Sequence, residues 1–308
     1  MITLRNAGHI LGAAIIELEL RENGQQFRLV FSGDLGYDAA PLMQAPAQIE
    51  SADLVILEST YGNRNHRAFA ATLDELRDIF SSAAEGGGNI LIPAFAVGRT
   101  QDILHLLATH YDDFGLGRWQ VYLDSPMAIE TTQLYWRHSA LHRAPLFGDK
   151  TKLAVTASLS TEDSKRINAI QSGAIVIAGS GMCSGGRILH HLKHNLWRPE
   201  CHVVMIGFQA QGTLGRRLVD GAERVRLWGE TIKVAAKIHT VGGLSAHADQ
   251  GGLLRWYGAF ANRPPVCLVH GEPGAQQALA AALRSAYGAD VRTPGRGDVV
   301  DLRRIREA

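Results

Sequence analysis

The 308 residues predict a layered α/β fold shared between about two domains. Three observations carry that prediction. In the middle of the chain a short apolar run, a loop with Gly or Ser, and a helical stretch follow one another repeatedly. Towards both ends the apolar residues instead alternate, or run into a single strand, turn and helix. The composition, 46% hydrophobic and 20% charged, is that of an ordinary folded protein rather than a disordered one.

The first stretch, "MITLRNAGHILGAAIIELEL", has one early Arg, and His9 and two Gly interrupt its apolar residues, so it reads neither as a signal peptide nor as a span. No other apolar run approaches membrane length, and a cytoplasmic protein with no membrane partner is expected. "AIIELEL" at 14–20 and "FRLVF" at 27–31 place apolar residues at alternate positions, as half-buried strands do, and "RENGQQ" joins them as an antiparallel hairpin. Residues 62–236 hold "GNILIPAFAVGRTQDILHLLATH", "WQVYLDSPMAIETTQLYWRH", "AIVIAGSGMCSGGRILHHLKHNL" and "HVVMIGFQAQGTLGRRLVDG". Continuous apolar strands alternating with helices indicate a buried parallel sheet. In "PPVCLVHGEPGAQQALAAALRSAYG" a strand meets a turn holding His270 and Glu272, and a helix follows.

The net charge of +1 provides no general attraction to nucleic acid or membrane, so an anionic substrate must be gripped locally. Cys183, Cys201 and Cys267 show no C-x-x-C spacing, which argues against a cysteine zinc site or a disulfide framework. A reducing compartment suits them.

Five polar residues share one placement, at the end of an apolar strand or in a Gly-flanked loop. They are His9 in "NAGHILG", Asp34 in "FSGDLG", Glu58 in "DLVILESTYG", His247 in "GGLSAHAD" and His270 in "CLVHGE". Loops at the carboxyl ends of α/β strands face one crevice, so such residues can converge. His, Asp and Glu suit Zn²⁺ or a similar divalent ion. Singly, His9 and Asp34 read more simply as turn or hydrogen-bonded residues. Glu58 does not, because four apolar residues at 54–57 place its carboxylate where it needs a partner.

Taken together, "NAGHILGAA", "FSGDLG", "ESTYGNR", "SAHAD" and "LVHGEP", in this order, resemble the RNA-processing beta-CASP branch of the metallo-β-lactamase superfamily. "IPAFAVGRTQDIL", "LDSPMA" and "SGMCSGGR" are similar to its inserted domain, so the resemblance covers essentially the whole chain. It implies a metallo-β-lactamase αββα sandwich, N-terminally incomplete, at residues 1–61 and 237–308, the latter including an RNA-specificity segment, and a beta-CASP α/β domain at 62–236. By that similarity Asp34 bridges two zinc ions, His9 binds the first and His270 the second. His247 protonates the leaving oxygen, and Glu58 orients its ring. The implied activity is zinc-dependent hydrolysis of RNA phosphodiesters, endo- or exonucleolytic, by attack of a metal-bound hydroxide with His247 as general acid. A histidine at 270 resembles the RNA-processing rather than the DNA-repair branch. A homo-oligomer is left open.

The family's H-x-H-x-D-H motif is absent. It should precede His9, and the chain begins eight residues before that histidine. Carry-over leaves about two protein ligands per ion against the usual three, so zinc should bind weakly or not at all and the chain by itself should be inactive. The five downstream motifs favour a truncated nuclease. A noncatalytic RNA-binding or scaffold subunit is the alternative, and a small-molecule hydrolase is disfavoured by the beta-CASP insertion.

For the RNA backbone, "GSGMCSGGR" follows a strand and opens a helix, so Ser180, Gly181, Gly185 and Gly186 are expected to offer phosphate contacts. Ser245 beside His247 and Arg99 in "AVGRTQ" are further candidates. His190, His191 and His194 lack an H-E-x-x-H carboxylate and read as a solvated or RNA-facing helix face. The arginines of "DLRRIREA" read as a charged terminal face.

Overall fold

Contacts divide the computed structural model into two units, Met1–His66 with Ala246–Ala308, and Arg67–Ser245. The structure describes residues 1–22, 24–38, 40–147 and 151–302. Asn23, in the expected turn, and Arg303, Arg304 and Arg306 lie outside the described residues.

The first unit opens with β1 (Ile2–Asn6), β2 (Ala14–Glu22) and β3 (Gln25–Phe31), paired antiparallel. β2 and β3 form the expected hairpin, in register from Ile16↔Phe31 to Glu22↔Gln25. The sequence reading places no strand at β1. Five residues, most of them exposed, carry too little pattern to identify it, and its partner β2 defines it. β4 (Leu54–Glu58) then lies parallel to β3.

The chain next builds the second unit. Its elements are α1 (Phe69–Gly86), β5 (Ile90–Pro93), α2 (Arg99–Thr109), β6 (Gln120–Asp124), α3 (Pro126–Arg137), β7 (Val155–Ala157), α4 (Thr161–Ile167), β8 (Ala174–Ala178), α5 (Ile188–Asn195), β9 (His202–Ile206) and α6 (Leu214–Val219). An antiparallel hairpin of β10 (Arg224–Leu227) and β11 (Glu230–Lys233) precedes β12 (Lys237–Val241). The four strand–loop–helix stretches read from the sequence are β5–α2, β6–α3, β8–α5 and β9–α6. The sheet runs β12-β9-β5-β8-β6-β7 with every pairing parallel. Residues of α1, α2 and α3 pack on one face and residues of α4, α5 and α6 on the other. Every residue of β8 and β9 is therefore buried, as strands covered on both faces require. Residues 237–245, grouped in the sequence reading with the first domain, fall in this unit, where β12 extends the parallel ladder from Lys237↔His202 to Val241↔Ile206.

The first unit is completed by α7 (Gln250–Gly258), β13 (Val266–Val269), α8 (Pro273–Tyr287) and β14 (Val291–Arg292), giving the sheet β1-β2-β3-β4-β13-β14. α7 and α8 bury Leu253, Trp256, Leu279 and Leu283 against Val30, Val55, Leu57 and Leu268. The opposite sheet face is also apolar. Leu29, Leu54 and Cys267 are buried there, whereas Ile2 and Leu4 are 67% and 65% exposed. Among the described residues no helix is long and apolar enough to cross a membrane.

Of the three histidines of α5, His190 and His194 are exposed and only His191 is withdrawn from the solvated face. His190 stacks on Trp228, while His191 is buried, its Nε2 2.6 Å from Asp124 Oδ2. Asp124, at the end of β6, also accepts from Ser164 Oγ at 2.6 Å and Arg187 Nη1 at 2.8 Å. Burial pushes this carboxyl's pKa up, but the hydrogen bonds from His191, Ser164 and Arg187 outweigh it and hold the group below its ordinary value.

Two outcomes follow from this packing. Asp124→Ala should destabilise the protein by about 3 kcal/mol, since it leaves Arg187 and His191 without their carboxylate. Because the folded pKa is depressed, that contribution is complete above the ordinary carboxylate range and disappears as pH falls below it. Urea melts of both proteins should therefore differ at pH 7 and converge in acid. Separately, the open sheet face should make the folded chain bind an apolar dye, and the double substitution Ile2→Ser, Leu4→Ser should lower that fluorescence.

Candidate metal and phosphodiester site

The site is built in the first unit from loops at the ends of β1, β3, β4 and β13, together with the segment leading into α7. Gly8 and Gly36 let two of these loops cross. A side chain at Gly36 would come within 2.0 Å of the Gly8 carbonyl oxygen, and one at Gly8 within 2.6 Å of the Gln44 carbonyl oxygen. The Gly36 N–H donates to the Ala7 carbonyl at 2.7 Å, fixing the crossing. His9 and Asp34 follow from it, with His9 Nε2 3.9 Å from Asp34 Oδ2.

The "SAHAD" segment adds to the same loop. Tyr37 donates its N–H to the Ala246 carbonyl at 3.2 Å and Ala248 donates to the Leu35 carbonyl at 2.8 Å, so His247 stands opposite Gly36. Its ring centroid is 4.3 Å from that of His9. His9, Asp34 and His247 each offer a ligand atom within 4.8 Å of the others.

Glu58 ends β4 and is 1% exposed. Its Oε1 accepts the Leu35 N–H at 2.7 Å and lies 3.1 Å from His247 Nδ1, and its Oε2 accepts the Thr60 N–H at 3.2 Å. Burial raises its pKa, but the His247 hydrogen bond and charge, with the Thr60 and Leu35 donors, bring it below the ordinary value. Glu58 is therefore a carboxylate at neutral pH, with donors on both oxygens.

His270 follows β13, which pairs with β4 at Val269↔Glu58. Its φ of 57° lies in the left-handed region, which a residue with a side chain adopts only when its surroundings hold it there. Here Ser59 Oγ donates to the Val269 carbonyl at 2.7 Å and Thr60 Oγ1 to the His270 carbonyl at 3.2 Å. The imidazole Nδ1 lies 3.4 Å from Asp34 Oδ1. Each oxygen of Asp34 thus faces a different histidine.

Histidine nitrogens and a carboxylate are donors of the kind a divalent ion takes. Two ligands about 2.1 Å from one tetrahedral zinc stand about 3.4 Å apart; Asp34 stands 3.4 Å from His270 and 3.9 Å from His9. Burial and the nearby His247 lower the pKa of His9, while Asp34 and Glu58 partly offset this, so the ring stays neutral as a metal ligand must be.

The sequence reading missed two supporting residues. His66 Nε2–H donates to the His247 carbonyl at 3.0 Å, and its ring is wedged edge-on between Tyr37 and Tyr61. Asp249 accepts the His66 N–H at 3.1 Å and caps α7 through the Gly252 N–H at 2.7 Å. An aspartate just before a helix was the available signal for the second of these.

The expected phosphate contacts belong to the second unit, apart from these residues in the division of the chain. Arg99 is buried, with Nη1 3.1 Å from Asp102 Oδ2 in the first turn of α2. Burial pushes Asp102 up to about 6 despite that arginine. In the glycine loop the Ser180 N–H is bonded to the Gly185 carbonyl, Ser184 to Ser180 Oγ, and Ile188 to the Gly179 carbonyl. These donors serve the loop's own shape. Gly181 lies against Phe95, Gly186 takes φ 74°, and Ser245 is the last residue of the unit.

Comparison with known proteins bears on both units. A Beta-Casp domain model matches residues 100–218, and a model described as Zn-dependent metallo-hydrolase RNA specificity domain matches 231–294. The chain is 41% identical over 273 residues to Ribonuclease TTHA0252 of Thermus thermophilus, covering 86% of this chain and 61% of that protein. It is 32% identical over 319 residues to Transcription termination factor FttA of Pyrococcus abyssi, covering 98% of this chain and 49% of that one. An RNase J-like protein of Methanocaldococcus jannaschii is 28% identical, over 96% of this chain and 70% of its own length. The chain thus spans about half to three-fifths of the first two relatives. With both family domains present in order beside these similarities, the chain belongs to the RNA-processing beta-CASP family of the metallo-β-lactamase superfamily.

Proposed function

We propose that the protein is a zinc-dependent RNA phosphodiester hydrolase. The observation that carries this reading is Asp34 presenting one oxygen to His9 and the other to His270, beside a histidine, His247, held by the buried Glu58. His9 and Asp34 would hold one ion, and Asp34 and His270 a second. When bound, such ions supply Lewis acidity toward phosphoryl oxygens and acidify a water.

The remaining chemistry lies in the chain's own groups. Glu58 takes the Nδ1 side of His247 and stabilises its protonated form, so Nε2 is the nitrogen that delivers a proton to the departing ribose oxygen. His66 holds the backbone behind that ring, and Ser59 and Thr60 hold the backbone around His270. The relatives' printed names, a ribonuclease and an RNase J-like protein, support RNA as substrate.

One observation favours a second reading, a noncatalytic RNA-binding or scaffold subunit. Among the described residues this assignment gives each ion two ligands, fewer than the three protein ligands of a catalytic zinc. Incubating labelled single-stranded RNA with zinc and either this chain or the full-length product of its gene separates the two. Cleavage by the full-length product supports the hydrolase, and binding without cleavage by either supports the subunit.

In whichever form cleaves, His247→Ala should cost about 10²- to 10⁴-fold in turnover while zinc content stays the same. Unchanged turnover would remove the proton-donor role. Zinc content after equilibrium dialysis should fall further in Asp34→Ala than in His9→Ala or His270→Ala, because only Asp34 faces both positions.

A further inference from the structure

We infer that the second unit carries an aromatic platform, Phe95 with Phe208, on which unpaired bases of single-stranded RNA stack. The inference rests on the proposal that RNA is the ligand and adds where its bases are held.

The sheet topology locates the platform. β5 and β9 are neighbours, but α2, which follows β5, packs on one face, and α6, which follows β9, packs on the other. A crevice opens beyond the carboxyl ends of such a pair, and ligands of parallel α/β sheets settle there. The ladder between the two strands confirms the opening. It runs only from Ile90↔His202 to Leu91↔Val203, whereas β5 stays paired with β8 through Pro93↔Ala178.

Phe95 follows β5 and Phe208 follows β9, so both stand at this mouth. They are 47% and 42% exposed. Phe95 is anchored rather than loose. Its carbonyl accepts Thr100 Oγ1 at 2.8 Å and the Thr100 N–H at 3.3 Å. Its ring rests on the bare backbone of Gly181, where an added side chain would come within 2.8 Å of Cδ2. Gln209, next to Phe208, donates Nε2–H to the Gly181 carbonyl at 3.0 Å, tying the β9 loop to the same glycine.

Bases suit these rings because every base has a π-face and stacking requires no charge. The net charge of +1 gives no general pull on the RNA backbone, so phosphate contacts fall to local groups and stacking adds to them. Stacking supplies affinity that does not depend on charge.

The test is fluorescence anisotropy of this chain with a short labelled oligoadenylate and with an abasic ribose-phosphate oligomer of equal length. The expected result is binding of oligoadenylate with weak salt dependence, about tenfold tighter than of the abasic oligomer. Phe95→Leu and Phe208→Leu should each remove most of that difference, and Phe95→Trp should retain it. Thermal melts identify a variant that has lost its fold, and each substitution backs up the other. Equal binding of both oligomers, unaffected by either substitution, overturns the platform and leaves the RNA reading standing. Binding of neither oligomer overturns both.

Discussion

The site depends on one buried charge. Glu58 ends an apolar strand with its carboxylate withdrawn from water, a position that is costly without compensation. The compensation comes from three places in the chain: the Leu35 N–H, the Thr60 N–H and the His247 ring. Satisfying that single carboxylate therefore draws the loop carrying Asp34 and the segment carrying His247 onto the end of β4. The parallel partner β13 already brings His270 there. The proposed metal ligands and proton donor are thus arranged by a requirement of folding.

Glycine makes the arrangement sterically achievable. At Gly8 and Gly36 two loops pass closer than any side chain allows, and at Gly271 the turn after His270 presses on Ser59, where a side chain would come within 2.4 Å of Oγ. His270 itself adopts a left-handed backbone, held by the hydroxyls of Ser59 and Thr60 in the loop after β4. The second unit handles buried charge in a parallel way. Asp124 collects Ser164, Arg187 and His191 at the end of β6, whereas Arg99 and Asp102 satisfy each other within one helical turn. Polar residues that looked available for phosphate in the sequence are in several cases engaged in holding the fold.

The sequence by itself determined the periodic features. Alternation at 14–20 and 27–31 marked a hairpin, and the four apolar runs followed by helices became four parallel strand–helix pairs, because periodicity records directly which faces are covered. The need of Glu58 for a partner was legible for the same local reason, the four apolar residues before it. The five polar positions were legible as strand-end residues, and their order carried the family resemblance. Only the tertiary structure decided what depends on register and on distant neighbours. β1 exists through its pairing with β2, and β12 joins the second sheet through β9. His191 turns inward to Asp124, sixty-seven residues away, and His66 supports the backbone of His247 across 181 residues. Such partners leave no trace in local spacing, because the energy that selects them, burial and hydrogen bonding between remote segments, arises only once the chain has closed on itself.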